Sequence, residues 1–250
     1  MIELDDVRKV YGSQGGEVVA VDGVSLRVEE GETVCLMGTS GSGKTTALKM
    51  VNRLLEPTSG RVLVGGRDVA ERDVIRLRRS MGYVIQKGGL FPHLEVARNV
   101  GLLCELEGWS REDVRRRVGE LLELVNLPPS EFAERFPHEL SGGQQQRVGV
   151  ARALALDPKI VLMDEPFGAL DPITRGELHE EFVKLEEKVE KTILFVTHDL
   201  AEAFKLADRV ALMDAGRLLQ VGTEDDFRHR PASEFVAEFV KSHVGNDRNG

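Results

Sequence analysis

The run Gly38-Thr39-Ser40-Gly41-Ser42-Gly43-Lys44-Thr45 matches the pattern G-x-x-x-x-G-K-[ST] in full. Its glycines free the backbone to curl, so that successive N–H groups converge on one anion. A helix starting at once afterwards adds the positive end of its dipole. Polyphosphate fits such a cradle. Lys44 is expected to reach the β- and γ-phosphates and the Thr45 hydroxyl to ligate Mg²⁺, while Thr46 beside it belongs to the nucleotide-binding set. A second cluster, Asp164-Glu165, closes the apolar run Ile160-Val161-Leu162-Met163. The first carboxylate of such a pair can hold Mg²⁺ directly or through water, which is the part expected of Asp164. Glu165 then stands where a general base could polarise a water, a contribution of roughly 10²–10⁴-fold in rate. The chemistry these residues suit is binding of a nucleoside triphosphate with Mg²⁺ and its hydrolysis.

A third cluster has no obvious place in that scheme. Leu140-Ser141-Gly142-Gly143-Gln144 precedes a helical pattern running through Arg147 to Leu156. Ser141 is a good N-cap, and Gly142 and Gly143 leave the first N–H groups uncovered. This is a second anion site on a helix start, or a capped surface helix.

The elements that must position these residues read as α/β. Ile2–Val10 and Val18–Val28 alternate as strands, split by a Gly-rich turn over Tyr11–Gly16. Thr33–Met37 is a short apolar strand running straight into the glycine loop. Lys44–Leu55 is helical and stops before Pro57. Arg61–Val64 and Tyr83–Ile85 are short strands. Glu95–Glu107 and Arg111–Val125 carry helical periodicity with many charges and no strand between them, which marks a helical insert at 87–157. Strand texture returns at Ile160–Met163, Thr192–Val196 and Arg209–Met213, separated by helical patterns such as Thr174–Val189. Alternating strands and helices imply a mostly parallel, doubly wound sheet with ligands beyond the carboxyl ends of its strands. Glu224–Phe239 reads as two short helices broken at Pro231, within a tail at 224–250.

The order of motifs carries a family resemblance. Phosphate loop, LSGGQ at 140–144, the strand ending in Asp164-Glu165, GALD at 168–171 and then His198 are together similar to the ATPase subunit of an ATP-binding cassette (ABC) transporter, over about residues 2–225. The resemblance implies one P-loop ATPase domain over 1–250, with an N-terminal antiparallel β subdomain and an inserted helical subdomain. It implies a head-to-tail dimer in which Ser141, Gly142, Gly143 and Gln144 of one copy close over the γ-phosphate held by the other. Tyr11 resembles the aromatic that stacks on adenine. Gln86 matches the glutamine that contacts Mg²⁺ and the attacking water. His198 resembles the switch histidine at the γ-phosphate, and Asp171 the aspartate of a loop crossing the dimer seam. That loop usually reads Ser-Ala-Leu-Asp; Gly168 replaces the serine and removes one side-chain hydrogen bond.

The region Gln86–Pro92 resembles the surface that receives a helix of the membrane permease, so a permease and, indirectly, an external solute-binding protein are the implied partners, at the cytoplasmic face of the cell membrane. The segments Val51–Gly60, Met81–Gln86 and Phe167–Arg175 look like importers of glycine betaine, choline and carnitine. Polar amino-acid or other small-solute importers are the alternative, and non-transport cassette proteins stand further off. Relatives of this kind often carry a downstream pair of regulatory nucleotide-sensing domains; a chain ending at Gly250 is expected to lack them unless the sequence is truncated.

Bulk properties narrow the field. The net charge is −9, from 33 basic and 42 acidic residues, which argues against a nucleic-acid partner held by bulk charge. Hydrophobic residues make up 41%, enough for a sizeable core. Cys35 and Cys104 are expected as buried free thiols, consistent with a reducing compartment. The start lacks a signal-peptide pattern, and no apolar run approaches the roughly 20 residues that span a bilayer. His93, His138, His179, His229 and His243 are expected to be structural or solvent-exposed. The acidic run Glu177–Glu190 reads as a solvated helix face with pairs such as Glu180–Lys184 and Glu187–Lys191.

Overall fold

The structure, a computed structural model, describes residues 1–13, 16–85, 89–168, 173, 175–176, 179–180, 182–183 and 191–244. Two compact units divide the chain, one from 1–77 with 192–250 and the other from 78–191. Among the described residues no helix is long and apolar enough to cross a membrane.

The first unit opens with β1 (Ile2–Ser13) and β2 (Gly16–Val28), an antiparallel pair that sets Tyr11 opposite Val18 and Val10 opposite Val19. In β2 the chain alternates from Val24 on, with Val24, Leu26 and Val28 buried and Ser25 and Arg27 exposed, so one sheet face is apolar. After β3 (Thr33–Gly38) and α1 (Lys44–Val51) come β4 (Ser59–Val64) and β5 (Arg67–Asp68), giving an antiparallel sheet in the order β2-β1-β4-β5. α2 (Val74–Arg79) then starts at Asp73, whose carboxylate accepts from the N–H of Arg76 at 2.8 Å.

Two expectations change here. Tyr11 is strand rather than turn, because its backbone stays in register with Val18. Helix α1 ends at Val51, four residues before Leu55. The Asn52 side chain accepts from the N–H of Leu54 at 3.1 Å, and Arg53 takes a positive φ of 55°. That local bond offers the backbone an alternative to another helical turn.

The second unit pairs β6 (Met81–Val84) in parallel with a later strand, and between them lie α3 (Val96–Leu106), α4 (Arg111–Leu124), α5 (Pro129–Phe132) and α6 (Gly142–Ala153). That strand is β7 (Ile160–Asp164), with Leu162 opposite Tyr83 and all five residues buried. α4 is capped by Ser110, whose hydroxyl accepts from the N–H of Asp113. Buried Asn99 ties the segment before α3: its amide donates to the carbonyls of Phe91 and Leu94, and its oxygen accepts from the N–H of Phe91 at 2.7 Å.

From residue 192 the chain returns to the first unit. β8 (Thr192–Val196), α7 (Leu200–Leu206), β9 (Arg209–Asp214), β10 (Arg217–Gly222), α8 (Glu224–His229) and α9 (Glu234–Val244) follow. β3 lies between β8 and β9, parallel to both, with Cys35 opposite Phe195 on one side and Val210 on the other. Every residue of β3 and β8 is buried, the pattern of strands covered on both faces. β10 pairs antiparallel with β9. The tail is two helices flanking Pro231, but the second runs on to Val244 because Val236, Phe239 and Val240 keep an apolar stripe against the core. Most of the Thr174–Val189 pattern lies outside the described residues. So does Glu187, and Lys191 bonds to Asp157 at 2.8 Å.

Candidate functional site

In the first unit, the loop between β3 and α1 is closed by its own lysine. Lys44 is 6% exposed and donates from Nζ to the carbonyls of Gly38 (2.9 Å) and Thr39 (2.7 Å) and to Oγ of Ser42 (3.3 Å). The ammonium therefore sits inside the curl of backbone. Two glycines are required by contact as well as by conformation. Gly38 has φ 147° and Gly43 φ 100°; a Cβ would run into the carbonyl oxygen of Met213 at the first and of Ala20 at the second. Gly43 is also the left-handed N-cap of α1, where Thr45 and Thr46 are half-buried in the first turn. A further bond, Thr39 Oγ1 to Asp214 Oδ1 at 3.0 Å, anchors the exposed side of the loop to the end of β9.

The same unit brings three other pieces to this loop. Ala20, against Gly43, belongs to β2, and two residues earlier Val18 faces Tyr11. The hairpin that touches the phosphate loop thus also carries the tyrosine, which is 39% exposed. His198 is exposed just past β8. Its neighbours hold it in place: the N–H of Asp199 donates to Thr197 Oγ1, and the Asp199 carboxylate caps α7 through the N–H groups of Ala201 and Glu202. A groove of 590 Å³ is lined by Gly38, Thr39 and Ser40, by His198, and by one face of α9 that includes Phe239 and His243. His243 stacks on Phe239 at 4.1 Å between ring centroids. Sequence reasoning missed this neighbour. Aromatic or histidine residues at 235, 239 and 243 repeat at helical spacing, but nothing local says which loop that face meets.

In the second unit Asp164 is 4% exposed at the end of β7, and Glu165 follows with φ 45°. A non-glycine residue in the left-handed region is strained, and such strain collects at functional sites. Burial, and after it the Asp164 carboxylate, push the Tyr83 phenol up to about 12. An added Cβ at Gly168 would stand 3.2 Å from Oε2 of Glu165, so the glycine lies directly beside that carboxylate. Ser141 caps α6 as expected. Its hydroxyl accepts from the N–H of Gln144 (3.2 Å), and Gln144 Oε1 accepts from the N–H of Ser141 (2.9 Å). This reciprocal capping box engages the N–H of Gln144 and leaves Gly142 and Gly143 at the head of the helix.

Gln86 and Asp171 lie outside the described residues. Cys35 and Cys104 are buried free thiols, and burial pushes both thiols up, so neither is poised to react. His179 is buried edge-on against Phe167, and His138 stacks on Phe136, both packing roles.

Residues 21–168 match the family described as ABC transporter. A glycine betaine/carnitine/choline transport ATP-binding protein of Bacillus subtilis is 53% identical over 240 residues, which cover 96% of this chain and 62% of that protein. A glycine betaine uptake system ATP-binding protein of Escherichia coli is 49% identical over 246 residues, 98% of this chain and 78% of that protein. Among solved structures, the ATP-binding cassette MJ0796, a dimer in a post-hydrolysis state bound to ADP and Pi, superposes with a TM-score of 0.81 at 36% identity. The match covers 89% of this chain and 98% of that one.

Proposed function

Since the chain belongs to the ABC transporter family, we propose that it is the ATP-binding and ATP-hydrolysing subunit of an importer, with quaternary-amine osmoprotectants such as glycine betaine, carnitine or choline as the carried solutes. The observation that carries the ATPase reading is the phosphate loop, curled around Lys44 at the head of α1. The solute reading is supported by the named uptake of the two relatives.

In this reading Lys44 exchanges loop carbonyls for the β- and γ-phosphates, and the N–H groups at the start of α1 complete the cradle. Tyr11 stacks on the adenine. The donors expected for Mg²⁺, the Thr45 hydroxyl, the carboxylate of buried Asp164 and the Gln86 amide, are all oxygens, which suits a hard cation. Mg²⁺, when bound, neutralises charge on the phosphate oxygens. Glu165 takes a proton from the attacking water, and His198 donates to the γ-phosphate. A second copy supplies Ser141, Gly142, Gly143 and Gln144 over the γ-phosphate, and Asp171 at the seam. The segment 86–92 receives a helix of the permease, which holds the subunit at the cytoplasmic face of the membrane and couples it to a solute-binding protein outside. Exposed Phe91, held by the Asn99 bonds, supports a docking role there.

Steady-state hydrolysis and nucleotide titration of two variants test the assignment. Glu165→Gln is expected to lose on the order of 10²–10⁴ in kcat while keeping ATP affinity. Lys44→Ala is expected to lose affinity itself. Wild-type turnover in Glu165→Gln would refute the general-base role.

A further inference from the structure

Tyr11 is not alone on its strand. Lys9, two residues earlier and so on the same face of β1, places Nζ 5.3 Å from the centroid of the Tyr11 ring. The same ammonium donates to the carbonyl oxygen of Glu56 at 2.8 Å. Glu56 belongs to the segment leaving α1, the helix that begins at the phosphate loop. That segment is stitched to β1 on both sides of Lys9, by Thr58 N–H to the Arg8 carbonyl (2.7 Å) and Val10 N–H to Thr58 Oγ1 (3.0 Å). Glu56 is itself fixed by Arg53, whose Nε and Nη2 both reach its Oε1. Lys9 is half-buried although its strand end is open.

A cation over one face of an aromatic ring has two effects. It is attracted by the ring quadrupole, and it restrains the ring. It also occupies that face, so a flat ligand can stack only on the other. We propose that Lys9 is a positioning residue for the nucleotide base. It pins the Tyr11 ring from behind through the cation–π contact and ties it to the far end of α1, so that a purine meets a ring already set at the right height above the phosphate cradle. The benefit is preorganisation of an otherwise exposed side chain. It acts on the base alone, because Lys9 is directed at Tyr11 and Glu56. This inference rests on the reading of Tyr11 as the adenine platform.

The test compares a ligand with a base to one without. Dissociation constants for Mg·ADP and Mg·pyrophosphate are measured by calorimetry on the full chain, for wild type, Lys9→Met, Lys9→Arg and Tyr11→Ala. Lys9→Met is expected to weaken ADP about two- to five-fold, the range of an exposed cation–π contact, and to leave pyrophosphate unchanged. KM for ATP rises by the same factor with kcat kept. Lys9→Arg, whose guanidinium also sits over aromatic faces, restores ADP affinity. Wild-type ADP affinity in Lys9→Met beside a weakened Tyr11→Ala overturns the role of Lys9 and leaves the platform standing. Equal losses for ADP and pyrophosphate in Lys9→Met also overturn it, since Lys9 would then be only scaffold. Tyr11→Ala with undiminished ADP affinity removes the platform reading itself.

Discussion

A methyl group at position 43 has nowhere to go: the Ala20 carbonyl oxygen occupies the space, and φ is 100°. Gly43→Ala therefore forces either the loop or β2 to move. The loop is held by the three Lys44 bonds and β2 by its pairing with β1, so neither gives easily. We expect this variant to fold, because the strain is local, and to bind ATP at least about ten-fold more weakly, a change of about 1.4 kcal/mol. Equilibrium titration checks it, and wild-type affinity would mean that the cradle tolerates a different curl. The neighbouring Thr39–Asp214 bond joins residues far apart in the chain. Gly38, Gly43 and Lys44 were legible because their spacing is itself the loop. Asp214 was not, because no local pattern marks which strand end will meet Thr39.

At the level of elements, the LSGGQ helix illustrates what capping contributes. Ser141 and Gln144 satisfy each other's backbone N–H groups, so Ser141→Ala should cost about 0.5–2 kcal/mol of stability. Ser141→Asp restores a good cap and should recover the melting temperature. It places a carboxylate where the partner's γ-phosphate is expected, so turnover should stay low. Thermal melts and hydrolysis rates on the pair separate cap from ligand. The join between β9 and the turn before β3 depends on pH. Burial alone would raise the Glu32 carboxyl, yet the Arg209 guanidinium and the N–H of Glu29 hold it below the usual carboxylate range. Its folded pKa lies under the unfolded one, so its stabilisation is complete above about pH 4.3 and lost as pH falls through the folded value. Glu32→Gln should flatten the acid limb of a stability–pH curve, and an unchanged slope would show that Arg209 contributes nothing. Sequence periodicity found the long helices α3 and α4 and the buried strands β3, β7 and β8. It missed α2 and α7, which have too few turns to show a period; only their starting aspartates, Asp73 and Asp199, mark them. It overran α1 because the Asn52 side chain ends that helix by a bond that composition does not display.

The molecule as a whole is a family member whose Bacillus relative is longer, the chain spanning 62% of it. What the family's shared motifs leave unexplained within one chain is why a capped, glycine-led helix start at Ser141–Gly143 should accompany a phosphate loop that already has its own helix. Under the proposed function a second copy would answer that, since each copy would lend its α6 to the other's triphosphate and the ligand's charge would become part of the interface. By linkage, whatever binds only the joined state stabilises it. The direct measurement is sedimentation velocity of Glu165→Gln with Mg·ATP, across protein concentrations and with ATP counted per protomer. A dimer carrying two ATP molecules, which reverts to monomer when Mg·ADP replaces Mg·ATP and fails to form when Lys44→Ala is added, is the predicted result. A monomer that stays monomeric with ATP bound and at high protein concentration would contradict the shared-site account.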